Sequence, residues 1–190
     1  NLKSIPGKEG FPGVNPAEYG LQEVSAKEKG GIVYVMQEGD ITKAMLDDKL
    51  DYFVPEQAMF EQGALTDEAN WKLLTETLLE GYHIKSLHKE TFYPYGLDNV
   101  TLVENFGANS RVIFPFRRIE KLRDIAPEER RIDGLVTSVY LLFPNASVAV
   151  LSKHTSLVIL EPLSPSSSRW VLYSMVNRPL DGEEISLQDA

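Results

Sequence analysis

Two of the chain's three histidines, His83 and His88, stand five positions apart at the end of an apolar stretch. Imidazole is the side chain that binds Fe(II), Zn(II) or Cu(II) while neutral near pH 7. Two imidazoles joined by one carboxylate hold Fe(II) and leave coordination positions open for dioxygen and a substrate. If the two share a metal, the protein is a redox enzyme. If they do not, they are structural histidines in a globular domain.

Spacing alone does not bring them together. On a regular helix, five positions turn through about 500°, which leaves the rings ~140° apart. The helix must end, bend or bulge between them, and the break is expected within Ile84-Lys85-Ser86. The third histidine, His154, falls on or between two strands. It is either structural or a pocket-lining hydrogen-bond donor.

The elements around these residues read as α+β. Residues 1–20 are rich in Gly and Pro and read as extended loop. Residues 31–37 form a short strand, and 40–52 carry a helix signal, with Ile41, Ala44, Met45, Leu46, Leu50 and Phe53 at roughly helical spacing and Asp40 or Thr42 as cap. Residues 57–66 and 69–76 read as two strands joined by Thr66-Asp67-Glu68, followed by a helix from Thr77 to about His83. Apolar runs at 99–106, 111–117, 136–144, 147–153, 155–162 and 168–177, bounded by turn residues, predict hairpin-connected antiparallel strands. The charged segment 117–131 reads as a helical insertion on the surface. Such a sheet, curved around a helix, makes a pocket that side chains, a helix or a ligand must fill.

Composition narrows the classes. The 190 residues are 43% hydrophobic and 25% charged, with a net charge of −9, which suits one globular domain and gives no basic footprint for nucleic acid or an anionic membrane. There is no cysteine, so these residues hold no disulfide, thiolate zinc site, cysteine nucleophile or cysteine-ligated cluster. No apolar run reaches the ~18 residues of a membrane-spanning helix. A cytoplasmic location is expected.

The run Asn70-Trp71-Lys72, Glu76, then Glu80-x-Tyr82-His83-x4-His88 resembles the iron-binding segment of the catalytic domain of Rieske-type non-haem iron aromatic-ring-hydroxylating oxygenases. Ile5-Pro6, Gly10-Phe11-Pro12-Gly13, Tyr19-Gly20-Leu21 and Gly30-Gly31-Ile32-Val33-Tyr34-Val35 are similar to that family's linker. The resemblance implies a helix-grip (START/SRPBCC-like) fold, in which a curved antiparallel sheet wraps a long helix. It places a linker from a Rieske domain at 1–30 and the catalytic domain, truncated at its C-terminus, at 31–190. His83 and His88 would bind mononuclear Fe(II). Glu80 would take the acidic position that bridges a neighbouring subunit's cluster to the iron, against the plainer reading of a solvent-facing helix glutamate. Thr77 stands where many members carry Asn. Trp71 and Tyr82 are expected to pack, and Phe92-Tyr93-Pro94-Tyr95 to form a pocket wall or part of the core.

The implied activity is hydroxylation, dihydroxylation or demethylation of a small, aromatic-type substrate with O2. Electrons would come from a reductase or ferredoxin through a [2Fe–2S] Rieske cluster, in a homotrimer. The cluster's Cys ligands are not in this chain, nor is the family's late Asp ligand. Asp181, Glu183, Glu184 and Asp189 lie in a polar tail and none is assigned. The chain by itself is therefore expected to be inactive. Two other classes stay open: a non-catalytic binder of hydrophobic ligands on a START-like fold, and a zinc hydrolase. The second lacks the Glu between histidines of helix-borne zinc proteases.

Overall fold

Gly30 and Gly31, at φ of 62° and 77°, close the first hairpin with the left-handed backbone that two-residue loops require. A Cβ on Gly31 would lie 2.6 Å from the Cβ of Phe53, so the turn also needs the missing side chain. A computed structural model describes residues 2–42 and 52–177. The hairpin strands are β1 (Ser25–Lys29) and β2 (Ile32–Met36), a two-stranded sheet of its own. Residue 30 thus sits in its turn, and Ser25–Lys29 fold with the strand that follows.

The main sheet has seven strands: β3 (Met59–Asp67), β4 (Leu102–Phe106), β5 (Asn109–Pro115), β6 (Val136–Leu142), β7 (Ala146–Val150), β8 (His154–Ser164) and β9 (Ser167–Val176). They run in the order β3-β9-β8-β7-β6-β5-β4, every pairing antiparallel. From β4 to β9 each strand pairs with the next in sequence, and β3 closes the far edge on β9. Two helices, α1 (Trp71–Leu78) and α2 (Tyr82–Leu87), connect β3 to β4.

Strand alternation gives the sheet two faces. On one, Tyr140, Leu142 and Val148 pack with Tyr52, and the β1–β2 hairpin covers them through Ile32 and Tyr34. On the other, Val112 and Phe114 of β5 pack with Ile84 of α2, and Leu79, Phe92, Tyr93 and Val139 surround them. α1 lies against β8 and β9. The class is the α+β, antiparallel, helix-grip type expected. Among the described residues the longest helix is α1, of eight residues; the long helix of that architecture is not among them.

Four local expectations change. Residues 69–76 are not a strand. Asn70 accepts a hydrogen bond from the Lys72 amide and caps α1, and Trp71, Leu74, Thr75 and Leu78 follow at helical spacing. The helix expected from Thr77 to His83 is interrupted at Leu79-Glu80-Gly81, where buried Gly81 lets the ring of Phe114 approach. The insertion at 117–131 is two 3-10 turns, Arg117–Leu122 and Pro127–Glu129, rather than one helix, because Pro127 supplies no amide to continue the ladder. The first loop contains two 3-10 turns, Lys8–Gly10 and Pro16–Glu18. The helix expected over 40–52 lies outside the described residues from 43 to 51, as do the four late carboxylates.

Candidate metal centre

α2 is short because both of its ends are spoken for. At its start, the Glu80 carboxylate sits in the turn between the helices. Its Oε2 accepts the amide of Tyr82 and, at 3.3 Å, that of His83. These are two of the amides a helix N-terminus leaves without partners. At its end, His88 leaves helical conformation at φ −104° and ψ 32°, while its amide still donates to the Ile84 carbonyl at 3.0 Å. The His88 carbonyl then accepts the amides of Thr91, Phe92 and Tyr93, which turns the chain sharply. Ile84 points inward onto Val112 and Phe114 and fixes the helix to the sheet.

This local structure brings the imidazoles together. The ring centroids of His83 and His88 are 5.3 Å apart, with planes at 70°. The required break is present, but at the C-terminal cap rather than within Ile84-Lys85-Ser86. A metal ~2.1 Å from one nitrogen of each ring, at a tetrahedral or octahedral angle, places the two centroids about 5 Å apart. The pair fits that requirement. Among the described residues, no group of three or more His, Cys, Asp and Glu side chains is gathered for a metal. The donor set present therefore fits two ligand positions and leaves the carboxylate position to be filled.

Glu80 lies in the turn between the two helices with its side chain partly open to solvent. Its Oε1 meets Nδ1 of His83 at 2.6 Å. A carboxylate at Nδ1 favours the tautomer with its proton there, leaving the Nε2 lone pair for a metal. Burial pushes the Glu80 carboxyl up, but the hydrogen bonds from the His83 ring and the Tyr82 amide outweigh it, and the pKa falls below the ordinary value.

Other expectations divide. His154 begins β8 on the sheet face that carries α2, by register, and its ring stands edge-on to Phe60 at 5.7 Å. Trp71 is half-buried at the start of α1, with the Lys72 ammonium 5.7 Å from its ring. Thr77 returns its hydroxyl to the Leu73 carbonyl at 2.9 Å, which is a bond within the helix. Tyr82 does not pack: it is 77% exposed, because Ile84 holds the inward position of α2. Phe92 and Tyr93 join the core under α2, whereas Tyr95 is exposed.

One row of paired residues crosses this face and escaped the sequence reading. It runs Val103, Val112, Val139, Ala149, Ser156, Ser174, Glu61. It is aliphatic beneath α2 and polar at the β3 edge, where the Ser156 and Ser174 hydroxyls meet at 2.9 Å. Only strand register, which the apolar runs do not contain, could have lined these residues up.

A seven-stranded antiparallel sheet carrying on one face an imidazole pair, of which His83 is held by a carboxylate, defines an α+β protein with a candidate non-haem metal centre. The chain matches the family described as ring hydroxylating alpha subunit (catalytic domain) over residues 56–185, more than half its length, and belongs to that family. Solved structures of similar fold include the quaternary ammonium Rieske monooxygenase CntA in complex with an inhibitor, at 10% identity and a TM-score of 0.67 over 98% of this chain and 50% of that chain. Naphthalene 1,2-dioxygenase from Rhodococcus sp. bound to indole is similar at 15% identity and a TM-score of 0.66, over 92% of this chain and 50% of that one. At these identities the likeness shows the fold. The chain spans about half the length of those proteins. No curated protein matches it in sequence.

Proposed function

We propose that this chain is the catalytic domain of an oxygenase alpha subunit that hydroxylates, dihydroxylates or oxidatively demethylates a small organic substrate with O2. One observation carries the reading: in a member of this family, His83 and His88 stand at metal-sharing distance with Glu80 holding Nδ1 of His83. Mononuclear Fe(II), when bound, supplies the activation of dioxygen. His83 and His88 would hold it, and a carboxylate outside the described residues would complete the set.

The chain's own residues do the positioning. Glu80 keeps the His83 proton at Nδ1 and fixes the ring's rotation. Ile84, on Val112 and Phe114, fixes the height of α2 above the sheet. Glu80 is 37% exposed at its side chain, so it remains accessible to a partner. That supports the further role of passing electrons from a [2Fe–2S] Rieske cluster, itself reduced by a ferredoxin or reductase, within a homotrimer. An acidic chain with no helix, among the described residues, long and apolar enough to cross a membrane suits a cytoplasmic place. No finding favours the non-catalytic ligand binder.

Anaerobic Fe(II) titration of the full-length protein, read by bound-metal analysis at the mononuclear site, tests the assignment. One iron per chain, lost in the His83→Ala/His88→Ala double variant, is the expected result. Iron retained by the double variant overturns the ligand assignment.

A further inference from the structure

We propose that Gly96 is a positioning residue for His88, acting through the ring of Phe92. The inference rests on the ligand assignment proposed above and concerns how the second imidazole is held.

The two imidazoles are held in different ways. The His83 ring is gripped at Nδ1 by the Glu80 carboxylate. Among the described residues no hydrogen bond holds the His88 ring, and the residue is exposed. His88 is fixed from its backbone instead. Its amide donates to the Ile84 carbonyl, and its carbonyl accepts the amides of Thr91, Phe92 and Tyr93 at 3.3, 3.1 and 2.9 Å. A ligand held in this way is placed no better than the segment that supplies those amides. Supporting groups must keep such a site within about 0.5 Å of its working geometry.

That segment is a strap running from His88 to the end of β5. Its far end is fastened to the sheet on both sides of Gly96. The Leu97 amide donates to the Pro115 carbonyl at 2.9 Å, the Arg117 amide donates to the Tyr95 carbonyl at 2.7 Å, and Gly96 itself bridges to Phe116. The Tyr95 and Gly96 amides turn back to the Phe92 carbonyl at 3.0 and 2.9 Å. Phe92 thus links the fastened end to His88. Its side chain packs on the Ile84–Val112–Phe114 cluster, and its ring lies 5.8 Å from that of Phe116.

Gly96 lies against the same ring. A Cβ at position 96 would stand 3.0 and 3.1 Å from two carbons of the Phe92 ring. Gly96 does not take left-handed backbone, so its conformation does not call for glycine. What the position calls for is the absence of a methyl group. Neither side can yield freely to one, since Gly96 is fastened to β5 and the ring is backed by the cluster. The displacement therefore passes to the Phe92 backbone, whose amide the His88 carbonyl holds.

The test uses the full-length protein. Hydrogen–deuterium exchange of the metal-free form reads the amides of residues 91–93, and competition with a chelator reads Fe(II) affinity. Gly96→Ala is expected to speed exchange at 91–93 and to weaken Fe(II) binding by about 10–100-fold, the range for a group supporting a metal ligand. The electron paramagnetic resonance of Co(II), loaded in place of Fe(II), should change with it, because that signal follows coordination geometry. Phe92→Leu makes room for the methyl group, so Gly96→Ala/Phe92→Leu should return exchange and affinity to the values of Phe92→Leu alone. Unchanged exchange at 91–93 in Gly96→Ala, faster exchange with Fe(II) affinity and Co(II) signal unchanged, or no recovery in the double variant each overturns the proposal. A wild type that binds no iron at His83 and His88 overturns the ligand assignment instead, and the exchange result then decides whether Gly96 holds His88.

Discussion

Glu80 serves two structures at once: one oxygen orients an imidazole and the other caps a helix. Glu80→Gln keeps the size and an acceptor but removes the charge, so α2 should still form while the hold on His83 weakens. Fe(II) affinity is expected to fall by about 10–100-fold, the usual cost of losing a carboxylate behind a ligand histidine, measured by competition with a chelator. A variant that binds iron as wild type does would reduce Glu80 to a capping residue. The pH dependence has a defined sign. A carboxyl whose folded pKa is depressed contributes stability that is complete above its ordinary value of 4.5 and is lost as pH falls through the folded pKa. In metal-free protein, the stability difference between wild type and Glu80→Gln should therefore be largest above about pH 5 and shrink below pH 4.5. Denaturant melts at pH 3.5 and 7 measure it; an equal difference at both would contradict the mechanism.

At the scale of elements, helix α2 decides whether two histidines five apart can meet. The spacing stated the problem, and the resemblance named the residues, but the solution lies in backbone detail the sequence hides. His88 escapes the ~140° separation only because it is the first residue past the helix, with its carbonyl collecting three amides. The strands were legible because their apolar runs end in turn residues such as Asn145 and Ser164–Ser166. α1 was not, since Ala69-Asn70-Trp71 follows a strand directly and the apolar residues of 71–78 fit two periods. Asn70 was the signal that favours helix. It caps α1 and also donates to the Pro165 carbonyl at 2.8 Å, tying the helix to the β8–β9 turn. Ile84 tests the element's coupling to function. It is 5% exposed between Val112 and Phe114, so Ile84→Ala should cost about 2–5 kcal/mol and lower metal affinity as well, because the helix that carries His83 loses its anchor. Thermal melts and Fe(II) titration of one preparation read both effects. Destabilisation with unchanged affinity would detach the site from the packing beneath it.

Across the whole molecule, the sheet separates a load of pure packing from a load that also positions chemistry. The hairpin side holds Tyr140, Leu142 and Val148 against Tyr52, and none of these touches the α2 cluster. A cleft of about 530 Å3 lies on that side, among Tyr52, Ser138, Tyr140 and Thr155. Neither His83 nor His88 lines it, so cavity size is a poor guide to chemistry here. Val148 is fully buried, and Val148→Ala should cost about 2 kcal/mol through lost burial and a residual cavity. Among the described residues the two clusters share no partner and stand on opposite faces, so Val148→Ala and Ile84→Ala should add within about 0.5 kcal/mol in the double variant. Only the change at Ile84 should weaken Fe(II) binding. A double-mutant cycle by denaturant unfolding, with metal affinity measured at each corner, decides between this division and a single shared core. Strong coupling, or an iron site that responds equally to Val148, would mean that the sheet transmits rather than separates. The hairpin would then belong to the machinery that positions His83.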